Sequence, residues 1–572
     1  GIRIQTTVNT KKQKLLQNIG FLTCGAAALF IFIAPLARLL AMSLSIPGGV
    51  GINRYLELLA ETRTLRAIGN TVHIAVFSTL IAVLLGSAMA FLVAYTDISH
   101  KKWVGLLTLT PYVIPSYIIT LSWSVVFSAR GSLNQFLQSA LGCKVNLYSL
   151  GGIILVMGIC NAPVVYLNVL PLLRRIPRDL EWAARISGYG VADTVAKIDL
   201  AQAAPAVASG GMLAFLAAID NFSVPAFLGI PAGIPVLSTY IYENVIGFGP
   251  TAFQLAAALS VMLSAIALGG TALQGLMVKK SCGLESIRED HSVRVTLGRW
   301  RAPVQWGSLA FLLLVNIFPL ITTVTSSFFP AYGKLSLGRI TLENYRFVFT
   351  NRGVRQAITN SLALALVTCL VCAVLGTMLA YRKVRLHCPA SRLVEQCASL
   401  SYAIPGIVLA LSMIFHWTAI PGIYGTIRIL FIAYITRYLV LQIKSSSNAL
   451  GALDASLEEA SAMCGSSRLR TWGQVILPLT LKPILSGTFL IFMQSLTELT
   501  LSSMLAAAGT KTIGLTIFGL QQGGDDKRAA ALSAVIIFAV GGCWVLWALA
   551  GCARRWLLAH RQRSLHLAPK AA

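Results

Sequence analysis

Twelve long apolar runs constrain this chain more than any other feature. A helix that crosses the hydrocarbon core of a bilayer needs about 20 mainly apolar residues. The runs cover residues 19–43, 70–96, 105–128, 147–173, 205–228, 252–277, 304–327, 360–381, 394–416, 424–443, 483–506 and 529–552. They predict an all-α polytopic membrane protein with about twelve transmembrane helices.

The composition agrees with a membrane protein. Of the 572 residues, 56% are hydrophobic and 12% are charged, with a mean hydropathy of +0.74. Soluble domains carry about 25% charged residues. A soluble chain of this size would therefore lack the polar residues to cover its surface.

The basic residues concentrate between alternate apolar runs. The net charge of +26 would suggest a nucleic-acid partner in a soluble protein. Here the charges fall mainly in segments 100–102, 174–185, 279–301, 382–388 and 444–470. Because cytoplasmic loops of membrane proteins are enriched in Lys and Arg, we expect both termini to be cytoplasmic, a lipid bilayer around the chain, and no nucleic acid. We interpret run 19–43 as a membrane helix, since it is longer than a signal-peptide core and lacks a clear cleavage site.

The chain contains an internal repeat. The segment "PYVIPSYIITLSW" at 111–123 recurs as "SYAIPGIVLALSM" at 401–413, and Asn70 corresponds to Asn360, both at an offset of 290. The repeat predicts a first half (1–280), a linker (281–303) and a second half (304–572). Because each half has six helices, an even number, both halves enter the membrane from the same side and the repeat is parallel.

A polar segment between apolar runs is also duplicated. Its copies are 180–205 and 457–483, at an offset of 277. Each predicts a short helix with acidic residues in its first turn. We expect a break at Gly188 or Gly465, then a second short apolar-faced piece, with Pro478 at the end of a helix. Two copies at one place on one side favour docking of a soluble partner over an idle loop.

The second copy, with Glu459-Ala460-Ser461, Gly465 and a terminal Leu477-Pro478, resembles the signature of type I ABC importer permeases. The resemblance implies coupling segments at about 178–201 and 455–478 that sit in grooves of a cytoplasmic ATPase. The first copy has Trp182 in place of the Glu and Ala201 in place of the Pro. The residues assigned to ATPase coupling are Glu181, Trp182, Ala183, Ala184, Gly188, Glu459, Ala460, Ser461, Gly465, Leu477 and Pro478.

Two fused halves, together with "PYVIPSYIITLSWSVVFSARGSLN", make the chain similar to the ferric-iron permeases of the FbpB type. Thiamine and aminoethylphosphonate permeases of the same group remain alternatives. The resemblance implies a homodimeric ATPase that binds ATP and Mg²⁺, a periplasmic or surface substrate-binding protein, and the bacterial inner membrane. The chain itself is then a permease and not an enzyme, with no cofactor and no stably bound metal.

Ionisable groups at membrane depth are functional candidates. Asp220 with Asn221, and Glu498, align within one residue across the repeat, just before the outer ends of the fifth helices. Carboxylates suit Fe³⁺, a hard cation. Tyr240, Tyr242 and Glu243 lie on an outer segment and could meet substrate or partner. The alternative interpretation is that these groups cap helices or dock the binding protein.

Two other classes of protein remain open from the residues alone. A proton-coupled secondary transporter also has two parallel six-helix halves, but needs no duplicated coupling segment. A membrane enzyme needs a cluster of catalytic groups at one depth, which we do not find. Cys369 and Cys372 match a C-x-x-C spacing, but their place inside an apolar run favours buried helix residues over a metal or redox site.

Overall fold

The computed structural model describes residues 22–46, 49–128, 132–247, 249, 251–280, 289–330 and 340–542. Its first half is almost entirely helical, apart from one two-stranded antiparallel hairpin. In chain order its elements are α1 (Leu22–Ser43), β1 (Ser45–Ile46), β2 (Gly49–Val50), α2 (Asn53–Ala60), α3 (Thr62–Tyr95), α4 (Lys101–Val113), α5 (Ser116–Val126), α6 (Ser132–Leu141), α7 (Leu150–Arg175), α8 (Arg178–Ile186), α9 (Val191–Asp220), α10 (Pro225–Ala232), α11 (Leu237–Ile246) and α12 (Ala252–Lys280).

The second half repeats this order of helices. Its elements are α13 (Gly298–Ser326), α14 (Glu343–Thr350), α15 (Arg352–Val384), α16 (Pro389–Ala403), α17 (Gly406–Trp417), α18 (Ile427–Gly451), α19 (Ser456–Met463), α20 (Arg468–Leu496), α21 (Thr500–Leu505), α22 (Ile513–Gln522) and α23 (residues 526–542 of it). The all-α polytopic fold with two repeats is therefore confirmed.

Eight helices of the described chain are long and apolar enough to cross a membrane. They are α1, α3, α7, α9, α12, α13, α15 and α20. Three further pairs of helices, bent at a short break, raise the number to eleven if each pair is one span. The helix α18, with Arg428 and Arg437, and the described part of α23 are not among these eleven. Residues 19–21 and 543–552 of the first and last predicted runs, and residues 281–288 of the predicted linker, lie outside the described chain.

Two runs that we predicted as continuous helices are broken, and for those runs the prediction was wrong. The run 105–128 is α4 and α5, bent by 102°, and the run 394–416 is α16 and α17, bent by 115°. The breaks fall at Pro115 and Pro405, and the preceding residues Ile114 and Ile404 are extended, with ψ of 130° and 138°. A residue before proline is pushed out of the helical conformation by steric contact with the proline ring. The repeated proline therefore makes the same turn in each half.

The predicted boundaries 205–228 and 483–506 were also wrong. The helix α9 begins at Val191 and ends at Asp220, while α20 begins at Arg468 and ends at Leu496. The second part of each coupling segment is thus the first turns of a long helix, and Pro478 lies inside α20 instead of at a helix end. A π-helical turn, Trp472–Ile476, precedes Pro478. Its wider hydrogen-bond spacing accommodates the missing proline amide.

Equivalent contacts hold equivalent elements in the two halves. The Asn70 side chain donates to the Pro235 carbonyl at 2.8 Å, and so ties α3 to the segment before α11. The Asn360 side chain donates to the Gly509 carbonyl at 3.0 Å, and so ties α15 to the segment before α22. The repeat in the sequence therefore corresponds to the same tertiary contact made twice.

The long helices pack at glycines that also recur at the offset of 290. A Cβ on Gly86 of α3 would lie 2.5 Å from the Ala162 carbonyl oxygen of α7. A Cβ on Gly376 of α15 would lie 2.7 Å from Cβ of Gln442 on α18. Small residues at such crossings let two helix backbones approach closely, which is the main source of helix association in a bilayer.

We expect Gly86→Ala to destabilise the protein by about 1–3 kcal/mol, since the new methyl group meets backbone atoms of α7 that cannot move aside. Thermal unfolding of the purified protein in detergent measures this change. The control is Gly269→Ala in α12, where the added Cβ meets no heavy atom within 4 Å. That control should be neutral or slightly stabilising, because alanine favours a helix over glycine. Equal effects of the two substitutions would contradict the close packing.

Candidate functional site

A cavity of about 300 Å³ lies between the two halves, where both predicted carboxylates meet. It is built from the ends of α9 and α20, the breaks before α5 and α17, and the middle of α7 and α18. Its polar lining includes Asn161, Asp220, Asn221, Arg437, Tyr438 and Glu498. The structure therefore brings Asp220, Asn221 and Glu498 together in one chamber.

Asp220 connects the first half to the second. Its Oδ2 lies 2.6 Å from Nη2 of Arg437, and its Oδ1 accepts a hydrogen bond from the Gly406 amide at 2.7 Å. Gly406 is the first residue of α17, whose initial amides have no partner within their own helix. The carboxylate thus caps a helix and forms an ion pair, both across the boundary between the halves.

Arg437 is the cation that sequence reasoning passed over. Its Nη1 donates to the Ile404 carbonyl at 2.6 Å and to the Tyr402 carbonyl at 3.2 Å. These carbonyls lie at the end of α16. The guanidinium also lies over the Tyr402 ring, 5.0 Å from its centroid. An arginine inside an apolar run, here the run 424–443, is itself a signal of function.

Glu498 is bound within its own half. Its Oε2 accepts a hydrogen bond from the Tyr438 hydroxyl, and its Oε1 accepts the Leu501 amide at 2.8 Å. Asn221 makes a similar local contact, accepting the Val224 amide at 3.1 Å. The two carboxylates share a cavity but are not equivalent, because only Asp220 is paired with a cation from the other half.

The outer candidates lie apart from the cavity. Glu243 forms an ion pair with Arg63 at 2.5 Å, and the Tyr240 hydroxyl lies 3.2 Å from a carboxylate oxygen of Glu61. Tyr242 packs its ring among aromatic side chains of α22 and of the loop after α9. None of these three residues lines the chamber around Asp220 and Glu498.

A second cavity, of about 480 Å³, continues from the first. The two cavities share Tyr112, Pro115, Gln494 and Thr497. The second one extends along α18 and α20 to Ser445 and Gly487. It therefore runs toward the end of the bundle that contains residues 97–102, 174–185, 289–301, 382–388 and 451–470, which we call the basic end. Its lining is mainly apolar.

At the basic end, α8 and α19 are the short helices predicted in the duplicated segment. Gly188 and Gly465 follow them with φ of +89° and +77°, so the predicted breaks are confirmed. The Tyr189 amide donates to the Ala184 carbonyl at 3.1 Å, and the Ser466 amide donates to the Ser461 carbonyl, also at 3.1 Å. This arrangement is the Schellman motif, in which a left-handed residue closes a helix.

The predicted coupling residues divide by exposure. Those on the surface are Trp182, Ala183, Gly188, Glu459, Ala460, Gly465 and Pro478, whereas Ser461 and Leu477 are half-buried, and Glu181 and Ala184 are buried. Ser461 contacts Thr471 at the start of α20, with 2.9 Å between the hydroxyl oxygens. The contact of these residues with a partner stays a prediction.

Glu181 and its repeat equivalent, Glu458, face inward instead. Glu181 pairs with Arg294 at 2.5 Å, and Glu458 pairs with Arg385 at 2.6 Å. The Tyr381 hydroxyl also donates to Glu458 at 3.1 Å. Each short helix is therefore fixed to the bundle by an ion pair at an equivalent position.

The described residues contain no group of three or more His, Cys, Asp and Glu side chains that could hold a metal ion. Cys369 and Cys372 are buried in α15, and the Cys369 thiol donates to the Thr488 carbonyl at 3.3 Å. The chamber lining contains two carboxylates and one guanidinium, and that guanidinium already contacts Asp220 and two backbone carbonyls.

The sequence matches a known protein family in both halves of the repeat. The model of a family described as "Binding-protein-dependent transport system inner membrane component" matches residues 71–281 and 372–557. The chain belongs to this family. It is therefore a multi-pass inner membrane permease, which excludes the secondary-transporter and membrane-enzyme alternatives. The two matches fall in the two halves of the repeat.

Curated relatives of this permease include two described as ferric transport proteins. The ferric transport system permease protein FbpB of Actinobacillus pleuropneumoniae is 24% identical over 512 residues, covering 84% of this chain and 70% of the relative. A candidate ferric permease of Haemophilus influenzae, FbpB 1, is 24% identical over 539 residues, covering 89% and 82%. A candidate 2-aminoethylphosphonate permease of Salmonella choleraesuis, PhnU, is 27% identical over 221 residues, covering 38% and 77%.

We expect Asp220→Asn to lower the stability of the permease, because it leaves the buried Arg437 guanidinium without its counter-ion. Loss of one partner from a buried pair costs about 3–5 kcal/mol, and the partial exposure of Asp220 to the cavity places this case near the lower end. The double variant Asp220→Asn/Arg437→Gln should recover part of the loss. Thermal unfolding of the wild type, Asp220→Asn, Arg437→Gln and the double variant measures the coupling.

The matched control is Glu498→Gln, which removes a carboxylate from the same cavity without unpairing a cation. We expect it to cost less than Asp220→Asn. A larger loss in Glu498→Gln, or additive effects in the double variant, would contradict the proposed role of the ion pair.

Proposed function

We propose that this permease forms the membrane passage for ferric iron, delivered by a substrate-binding protein and driven by a separate ATPase. The observation that carries the proposal is the chamber between the halves, where Asp220 and Glu498 face one cavity and Arg437 is the one described cation in its lining. The chamber lining therefore has two acidic side chains for one basic side chain. Carboxylate oxygens are suitable ligands for a hard cation such as Fe³⁺.

The engaged state of Arg437 argues against an anionic cargo. A phosphonate needs a cation with free hydrogen-bond donors. The Arg437 guanidinium already donates to two carbonyls and to Asp220. We therefore favour ferric iron over aminoethylphosphonate. Thiamine, a cation, remains the alternative within this group that the charge of the chamber does not exclude.

The Asp220–Arg437 ion pair is a contact between the two halves that would form when they approach and break when they separate. It lies beyond the apolar cavity, on the side away from the basic end. In the proposed cycle the halves separate there when the chamber opens outward, and Asp220 then exchanges Arg437 for the incoming cation. Closure restores the pair and releases the cation along the apolar cavity. A binding site that is weak and transient suits a passage better than a stable cage.

We propose that the basic end faces the cytoplasm, as the distribution of Lys and Arg predicts. Its exposed apolar side chains suit a soluble partner: Ile186, Met463 and Leu469 are 87%, 89% and 87% exposed. These residues lie on or next to α8 and α19. We infer that one ATPase subunit docks at each short helix, and that ATP and Mg²⁺ bind in that separate protein.

Uptake into proteoliposomes tests the cargo. The vesicles contain the permease with its co-purifying ATPase and enclosed ATP, and the binding protein loaded with radiolabelled Fe³⁺ is added outside. We expect ATP-dependent uptake that Glu498→Gln lowers about tenfold, since a nearby carboxylate at the solvated edge of a cavity contributes about 1.4 kcal/mol of attraction to a cation. Glu57→Gln, on the exposed face of α2, is the control. Binding and uptake of thiamine or aminoethylphosphonate, without Fe³⁺, would overturn the iron assignment.

Docking is tested at the second short helix. We expect Gly465→Val to reduce co-purification of the ATPase about tenfold, because a branched side chain at φ of +77° costs about 1–2 kcal/mol and displaces α19. Trp182→Ala should have a smaller effect, since its copy of the segment departs from the family pattern. The control is Gly425→Val, which puts the same strain at φ of +75° at the opposite end of the bundle. Equal losses in the Gly465 and Gly425 variants would count against docking at α19.

A further inference from the structure

The segment between the halves is bound closely to the first half. The Asp290 amide donates to the Arg174 carbonyl at 2.7 Å, and the Arg294 amide donates to the Tyr95 carbonyl at 2.9 Å. The Arg178 guanidinium on α8 donates to the Ser292 hydroxyl at 2.8 Å. Residues 289–297 thus contact the ends of α3 and α7 and the short helix α8, and we call them the brace.

The Arg294 side chain enters the centre of this junction, where it is 1% exposed. Its Nη1 lies 2.5 Å from Glu181 on α8, and its Nη2 donates to the Ile176 carbonyl at 2.8 Å. Asp290 lies at 3.5 Å and Asp199, at the start of α9, at 4.0 Å. One guanidinium therefore contacts the end of α7, the helix α8 and the first turns of α9.

Asp290 is held ionised for this arrangement. Burial by itself would raise its pKa, but hydrogen bonds from the backbone and hydroxyl of Ser292, with the charges of Arg294 and Arg178, hold the pKa below its ordinary value. The junction thus contains three carboxylates, of Glu181, Asp199 and Asp290, within 4.0 Å of one guanidinium. Buried carboxylates are costly without such a partner.

The second half solves the same problem with a residue of its own. Glu458 corresponds to Glu181 at the offset of 277, and its partner is Arg385 at the end of α15. The position that corresponds to Arg385 at the offset of 290 is Tyr95, at the end of α3. The first half has an aromatic residue there, and the Arg294 guanidinium lies over that ring at 4.8 Å.

We propose that Arg294 is the positioning residue of the first coupling helix, supplied by the brace in place of the arginine that the second half has immediately after its own helix α15. The orientation of α8 then depends on the segment that joins the halves, whereas that of α19 depends on the second half alone. This inference rests on the proposed docking of an ATPase at α8 and α19, and it adds that the two docking helices are held by different parts of the chain.

Hydrogen exchange of the full-length permease tests the positioning without any partner. We expect Arg294→Ala to raise amide exchange in residues 178–186 by about tenfold or more. The reason is that the buried Glu181 carboxylate loses its partner, which weakens the packing of α8 against the bundle. Residues 456–463 should keep their protection. Arg385→Ala should give the reverse pattern. Arg299→Ala, an exposed residue next to the brace, should change neither segment.

The decisive variant moves the cation instead of removing it. In Tyr95→Arg/Arg294→Ala the first half gains the arginine position of the second half, and we expect it to restore most of the protection of 178–186. Arg294→Lys keeps the charge and should lie between the wild type and Arg294→Ala. Unchanged exchange in 178–186 in folded Arg294→Ala, or equal loss in both short helices, would overturn the proposal. If Arg294→Ala does not fold, the same comparison is made on Arg294→Lys.

A second measurement separates this inference from the proposed function. We expect co-purification of the ATPase to fall about tenfold in Arg294→Ala and to recover in Tyr95→Arg/Arg294→Ala. If the wild-type permease binds no ATPase, the proposed function fails while the exchange result on α8 still stands. If the ATPase binds and Arg294→Ala leaves both exchange and co-purification unchanged, the positioning role fails while the proposed function stands.

Discussion

The requirement that backbone polar groups be paired inside a bilayer explains the arrangement at the centre of this permease. Without water, a helix broken by Pro405 leaves carbonyls on one side of the break and amides on the other with no partner in their own helix. Arg437 satisfies the carbonyls of Tyr402 and Ile404, and Asp220 satisfies the Gly406 amide. The ion pair between the halves is thus first a means of completing a broken helix. Its place in a cavity follows from the turn of the chain that the break produces.

The first half does not copy this solution. Its break, before α5, is equivalent by the offset of 290, but the position that corresponds to Arg437 at the offset of 277 is Cys160. Glu498, which corresponds to Asn221 at the offset of 277 and lies one residue from the equivalent of Asp220, is bound to Tyr438 and to an amide of its own half. The same inequality appears at the basic end, where Arg385 and Arg294 reach equivalent glutamates from different parts of the chain. The repeat gives the two halves the same order of elements, while different residues at equivalent positions make the halves chemically distinct.

Much of this could be predicted from the sequence, and the failures have physical causes. The repeat could be found in the sequence from two constant offsets, 290 and 277. Residues that recur at these offsets, such as Asn70 and Gly188, make the same contact or turn in each half. Hydropathy counts apolar residues but does not show where the chain changes direction. It therefore predicted one continuous helix where the chain bends at Pro115 and another where it bends at Pro405. Arg437 was visible as a charge in an apolar run, but its partner Asp220 comes from the other half. Arg294 could not be singled out, since nothing local distinguishes it from the basic residues around it.

Each of the long helices α9 and α20 contains one π-helical turn, at Val195–Asp199 and at Trp472–Ile476. Both helices begin three residues after the glycine that closes a short helix and extend to the edge of the central chamber. A helix of 30 residues such as α9 is about 45 Å long. Asp220 is the last residue of α9, and Glu498 lies two residues beyond the end of α20, so each long helix joins a glycine turn at the basic end to a carboxylate of the chamber. A tilt of such a helix about that turn would move the carboxylate farther than the residues near the turn, because the displacement grows with distance from the point of rotation.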